Sequence, residues 1–167
     1  ARETFTPSIP NRIDQFFMLD AFGNVECSAN IQARLIPELP VSAATLTGTQ
    51  VGVLFLGIDK SQPPQILSLL FQMESGSMPG SVLLQKEDMA WSYLKDNEWQ
   101  TIASPDIQRD TTESFQKPGI IQISVPSDAD LTATLMPSGL CWLRVTAYQN
   151  ADGASDISTI KTQAASA

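Results

Sequence analysis

The chain has 167 residues, enough for one ordinary domain with a real core; 43% are apolar and only 17% charged. Acids outnumber bases 18 to 10, a formal net charge of −8. That balance argues against a nucleic-acid binder or a protein of anionic membrane surfaces, both of which need clustered Lys and Arg. There is no histidine. Its absence removes Ser-His-Asp and Cys-His catalysis, the HExxH metal helix and every His-bearing zinc site.

In chain order, residues 1–45 form a Pro-containing segment (Pro7, Pro10, Pro37, Pro40) without long periodicity. Inside it, Phe16-Phe17-Met18-Leu19 reads as a strand entering an Asp20–Asn24 turn, either wrapping a main domain or forming a small β appendage. Residues 46–167 read as the main domain. Val51–Ile58 is an apolar run too short and too β-branched for a convincing helix, broken by the polar, Pro-Pro stretch Asp59–Pro64. Ile66–Met73 is a second run; periodicity would tolerate a helix, and its flanks favour a strand.

Met89–Lys95 and Glu98–Ala103 flank Asp96-Asn97, which suits a type I′ hairpin. That register sets Lys95 against Glu98 as a charge pair, Leu94 against Trp99, and Trp91 against Ile102. Both hairpin faces are then apolar, one for the core and one for something else. Ser104–Gln116 reads as a polar loop. Gly119–Val125 and Leu140–Tyr148 read as strands, Asn150–Gly153 as a hairpin-type turn, and Ile157–Thr162 as a last strand. The expected fold is all-β: an antiparallel β-sandwich of about six to eight strands.

No run approaches the ~18 apolar residues of a membrane-spanning helix. The chain begins without Met or a signal peptide and ends without a cap, so it is read as a piece of a longer polypeptide or as a processed chain. Cys27 and Cys141 are too few for a Cys-rich zinc site; a disulfide is possible and not required, and Cys141 in Leu-Cys-Trp-Leu reads as a buried, inert thiol. The stretch Asn150–Asp156 fails as an EF-hand because Tyr148 and Thr159 would occupy the first and last ligand positions. Asp128 and Asp130 read as turn residues, and no metal or cofactor is expected. Glu74, Glu87, Asp88 and Glu98 could supply glycosidase carboxylates in principle, but none lies in a distinctive motif. The candidate binding residues are Trp91, Tyr93 and Trp99, as core, as a protein-docking surface or as a platform for sugar rings.

Five segments then occur in a telling order: Leu54–Asp59, Gln65–Met73, Trp91-Ser92-Tyr93-Leu94-Lys95-Asp96-Asn97-Glu98-Trp99, Gly119–Pro126 and Pro137–Val145. Over roughly residues 50–165 the chain resembles a domain of large baseplate J-like proteins, which form baseplate wedges in contractile phage tails and related bacterial injection systems. The resemblance implies a structural part without catalysis, held by contacts to other baseplate, sheath or spike proteins. It also implies assembly in the bacterial cytoplasm, with Cys27 and Cys141 reduced, and then residence in a tail-like particle. The alternative is a non-catalytic glycan-binding sandwich module.

Overall fold

Alternation of apolar and polar residues, punctuated by Gly, Pro, Asp and Asn, makes this chain a set of short strands with one face each to bury. The computed structural model describes residues 16–20, 23–27, 33–36, 52–74, 77 and 82–162. The strands are β1 (Phe16–Asp20), β2 (Gly23–Cys27), β3 (Ala33–Arg34), β4 (Gly52–Ile58), β5 (Gln65–Met73), β6 (Met89–Lys95), β7 (Glu98–Thr101), β8 (Ile107–Asp110), β9 (Gly119–Val125), β10 (Cys141–Ala147) and β11 (Asp156–Thr162). Among the described residues there is no α-helix, only single 3₁₀ turns at Lys86–Asp88, Ser104–Asp106 and Ala151–Gly153.

Two antiparallel sheets pack face to face as a sandwich of eight main strands. One has the order β4-β10-β6-β7; the other is β11-β5-β9-β8, with the two-residue β3 added beside β11. The expected β-sandwich is therefore present. β1 and β2 pair in a separate two-stranded sheet; the Phe16–Leu19 strand is legible in the sequence, whereas β2 begins at Gly23, inside the stretch read as a turn. Part of the first 45 residues joins the sandwich itself: β3 pairs with β11, and Leu35 and Ile36 lie in the main core. The four N-terminal prolines lie outside the described residues.

The inner faces supply the core. Leu67, Leu69 and Phe71 of β5 meet Cys141, Leu143 and Val145 of β10, with Ile121 and Ile123 of β9 and Trp91 of β6 filling the space between. A fully buried Leu, Ile or Phe contributes about 1.5–3 kcal/mol each by leaving water. Along β5 the alternation decides strand over helix: Leu67, Leu69 and Phe71 are buried while Ile66 is exposed.

Two sequence expectations are corrected. The Ser104–Gln116 stretch is not all loop, because Ile107–Asp110 forms the edge strand β8 against β9. Polar side chains hide it: Gln108, Arg109 and Asp110 are exposed, so only Ile107 carries a core signal. The Asn150–Gly153 turn is not a hairpin; β10 and β11 belong to opposite sheets, so this turn carries the chain across the sandwich. A turn motif specifies a reversal, whereas the choice of sheet depends on distant strands.

Between β8 and β9 the chain makes a tight left-handed turn: Glu113, Ser114 and Phe115 all have positive φ, at 52°, 59° and 63°. That conformation costs about 1–2 kcal/mol per non-glycine residue. Hydrogen bonds hold it. Thr112 donates from both its N–H (2.8 Å) and its hydroxyl (2.7 Å) to Asp110 Oδ1, and its Oγ1 accepts from the Phe115 N–H at 3.0 Å. The turn drives Phe115 into the core, edge-on to Phe71 at 5.1 Å and 6.1 Å from Trp91.

Candidate interaction surface

The β6–β7 hairpin forms in the expected register, with Lys95 opposite Glu98 and Leu94 opposite Trp99. Its turn residues Asp96 (φ 49°) and Asn97 (φ 63°) take the two positive φ values of a type I′ turn. The Ile102 N–H bonds the Trp91 carbonyl at 2.8 Å, so Trp91 faces Ile102 as the register requires.

The three aromatic residues singled out on this hairpin do not stand in one row. Trp91 and Tyr93 point inward and are buried, at 3% and 8% exposure. Trp99 lies on the outer face and is half-buried. The row of exposed rings that a sugar platform needs is not formed by these three. Tyr93 is anchored at its polar end, its hydroxyl donating to Asp128 Oδ1 at 3.0 Å. The Lys95 ammonium also turns to Asp128 rather than Glu98, meeting Oδ2 at 2.8 Å. The lysine holds the Asp128 carboxyl below the ordinary carboxylate range, while burial and then Asp128 push the Tyr93 phenol up.

Asn97 does more than permit the turn. Its Oδ1 accepts the backbone N–H groups of Thr134 and Leu135, at 2.7 and 2.8 Å. These bonds tie the 126–140 connection to the hairpin tip. Asp130 N–H adds a bond to the Leu94 carbonyl at 2.9 Å, and Trp142 Nε1–H donates to the Pro137 carbonyl at 2.8 Å.

The outer face of the β4-β10-β6-β7 sheet follows from these registers. β10 sets Arg144 beside Phe55 of β4 on one side and Ser92 of β6 on the other. The rings of Phe55 and Trp99 reach over the intervening strands to a centroid separation of 5.6 Å. The Arg144 guanidinium stacks on Trp99, 4.7 Å from the ring centroid, and reaches Ser92 Oγ at 3.5 Å. Gly57 leaves room for the Trp142 ring, which would stand 2.9 Å from any Cβ placed there. Leu94 is sealed on this face, at 1% exposure, while Phe55 remains 38% exposed. Tyr148, 42% exposed just past β10, lies within electrostatic reach of Arg144.

The electrostatics of this face are unusual for so acidic a chain. Among the described residues, Arg144 has no carboxylate within ion-pair distance, and burial lowers its pKa from the ordinary guanidinium value. Two buried polar atoms of the same strand, Arg144 Nε and Thr146 Oγ1, have no hydrogen-bond partner.

The remaining candidates are engaged elsewhere or scattered. Asp88 is buried and accepts from Asn150 Nδ2 (3.1 Å), the Gln85 N–H (3.0 Å) and Gln149 Nε2 (2.5 Å), which in that order hold its carboxyl below the ordinary range. Asp130 accepts from Thr132 N–H and Oγ1–H, both at 2.7 Å, closing a turn. Glu74, Glu87 and Glu98 are exposed. No three His, Cys, Asp or Glu among the described residues come together as a metal set. Cys141 is a free, buried thiol whose pKa burial raises. A shallow hollow of about 400 Å³ lies beside β6 and β7, where Lys86 Nζ approaches Ser104 Oγ at 3.5 Å, the limit of a hydrogen bond. No helix among the described residues is long and apolar enough to cross a membrane.

Sequence reasoning found Trp99 and its partner Leu94, read Asp128 as a turn residue without seeing its role as acceptor for Tyr93 and Lys95, and missed Phe55 and Arg144. For Arg144 a signal existed in the alternation Cys141-Trp142-Leu143-Arg144, which places Trp142 and Arg144 together on the outward face. Which strands flank that face is a nonlocal fact.

The class that the fold defines is an all-β antiparallel sandwich domain, here carrying an arginine-aromatic patch on one outer face. Residues 40–167 match the family model described as baseplate protein PVC11-like, so the chain belongs to the PVC11-like baseplate protein family, structural components of phage tail-like systems. No curated protein matches the sequence.

Proposed function

We propose that this domain is a non-catalytic protein–protein interaction module of a baseplate wedge component, in a contractile, phage tail-like injection apparatus. Its partners on this reading are other baseplate, sheath or spike proteins, and it assembles in the bacterial cytoplasm before residing in the particle. Membership of the baseplate family carries the reading. The resemblance to J-like wedge proteins supplies the finer wedge assignment. The outer face supports a docking role, since Trp, Tyr and Arg are the side chains enriched where protein partners bind most strongly.

The test is affinity purification of the tagged full-length parent from its own cells, followed by mass spectrometry. Wedge, sheath and spike proteins recovered at fixed ratios are the expected result. A properly folded parent recovered alone overturns the reading.

A further inference from the structure

We propose that the Arg144–Trp99–Phe55 patch on the outer face of the four-stranded sheet seats an aspartate or glutamate side chain, flanked by apolar residues, from a different baseplate polypeptide. The inference rests on the baseplate reading above and names the chemistry of the contact.

Charge is the first argument. The chain carries 18 acidic residues and 10 basic ones, yet among the described residues Arg144 has no acidic neighbour. Lys95 and Lys117, by contrast, pair with Asp128 at 2.8 Å and with Glu113 at 2.5 Å. The half-buried guanidinium has lost hydration and gained in return the face of Trp99 and a long bond to Ser92, but no counter-ion among the described residues. An incoming carboxylate would supply a charge-assisted, bidentate partner that restores what burial removed.

Geometry is the second. The Arg144 guanidinium already sits over the Trp99 ring, 4.7 Å from its centroid, and is half-buried, so less side-chain freedom remains to be lost when a partner binds. Phe55 and Tyr148, exposed at 38% and 42%, offer apolar surface beside the charge. One cation framed by aromatic rings matches one carboxylate on an otherwise apolar segment. A polyanion such as nucleic acid would meet the net charge of −8.

The experiment places a photo-crosslinking p-benzoylphenylalanine at position 55 or, separately, at 148, in the full-length parent expressed in its own cells. Assembled particles are purified, irradiated and analysed by mass spectrometry. The expected result is a crosslink from both positions to one Asp- or Glu-containing segment of another baseplate protein. Arg144→Gln in the labelled chain should lower its yield about tenfold, and Arg144→Lys less. Crosslinks only to peptides of this chain, or only to segments without an acidic residue, overturn the proposal while leaving the baseplate reading standing. So does a yield indifferent to Arg144→Gln in folded, incorporated protein. Absence of both labelled chains and of the unlabelled parent from the particles overturns the baseplate reading, and this inference with it. Two label sites guard against one that perturbs folding.

Discussion

The two faces of the β4-β10-β6-β7 sheet use the same residue types to different ends. On the inner face Trp91, Leu143 and Val145 are packed against the opposite sheet, and Phe115 closes the gap from a strained turn. On the outer face Phe55 and Arg144 both contact Trp99, as a tilted ring pair and as a cation over the ring, and the group stays partly open to water. The inner cluster is apolar and complete. Among the described residues, the outer one keeps a cation without a counter-ion and two buried polar atoms without partners. A hairpin apolar on both sides therefore needs no second core; one side completes the fold and the other is left to be completed.

The largest expected effect tests the inner face. Phe115→Ala should cost about 3–5 kcal/mol, read as a lower midpoint in denaturant unfolding of the domain. Trp99→Ala on the outer face should cost only about 1 kcal/mol by the same measurement, while impairing incorporation into particles. Equal losses from the two substitutions would break the comparison and make the outer cluster a second core.

A smaller change probes how the inner face is closed. Thr112→Val keeps the shape of the side chain but removes the hydroxyl linking Asp110 to the Phe115 N–H, and should cost about 1–3 kcal/mol. Near-neutral unfolding would mean that the left-handed turn is held by Phe115 packing alone.

The hairpin tip offers a finer distinction. Asn97→Ala loses both the acceptor for Thr134 and Leu135 and a residue tolerant of positive φ, and should cost about 1–2 kcal/mol. Asn97→Gly keeps the backbone freedom, so its deficit isolates the two hydrogen bonds. If Gly restores full stability, the 126–140 connection does not depend on Asn97.

The smallest effects come with pH. The carboxyls of Asp88 and Asp128 titrate lower in the folded chain than the ordinary 3.8. Their contribution is present above that value and lost as pH falls through it, because the unfolded chain binds protons more readily there. Lys95 and Tyr93 titrate higher than 10.5 and 10.0 when folded, so their contribution is full below those values and fades above them. With no histidine in the chain, the thermal midpoint should stay nearly level between about pH 5 and 9 and fall on both sides. Asp88→Asn should flatten the acid limb.

Local pattern made much of the fold legible. Turn-forming flanks pointed to β5 where periodicity left a helix open, apolar runs bounded by Gly and Pro marked β9 and β10, the Asp96-Asn97 turn fixed the hairpin register to the residue, and absence of histidine narrowed the chemistry. β8 was illegible because an edge strand with three exposed polar residues carries almost no apolar period. Lys95 faces Glu98 as its register demands, yet its ammonium chooses Asp128 from a distant connection, since a long flexible side chain answers to space rather than to sequence spacing.

Periodicity, turn chemistry and composition are local properties, so the residues alone were enough to establish an acidic, all-β chain with one type I′ hairpin apolar on both faces. Which face of that hairpin is core and which is surface follows from how the two sheets pack. Setting Phe55 from β4 and Arg144 from β10 beside Trp99 from β7 requires strands far apart in the chain to become neighbours, and that order is fixed by the packing of two sheets.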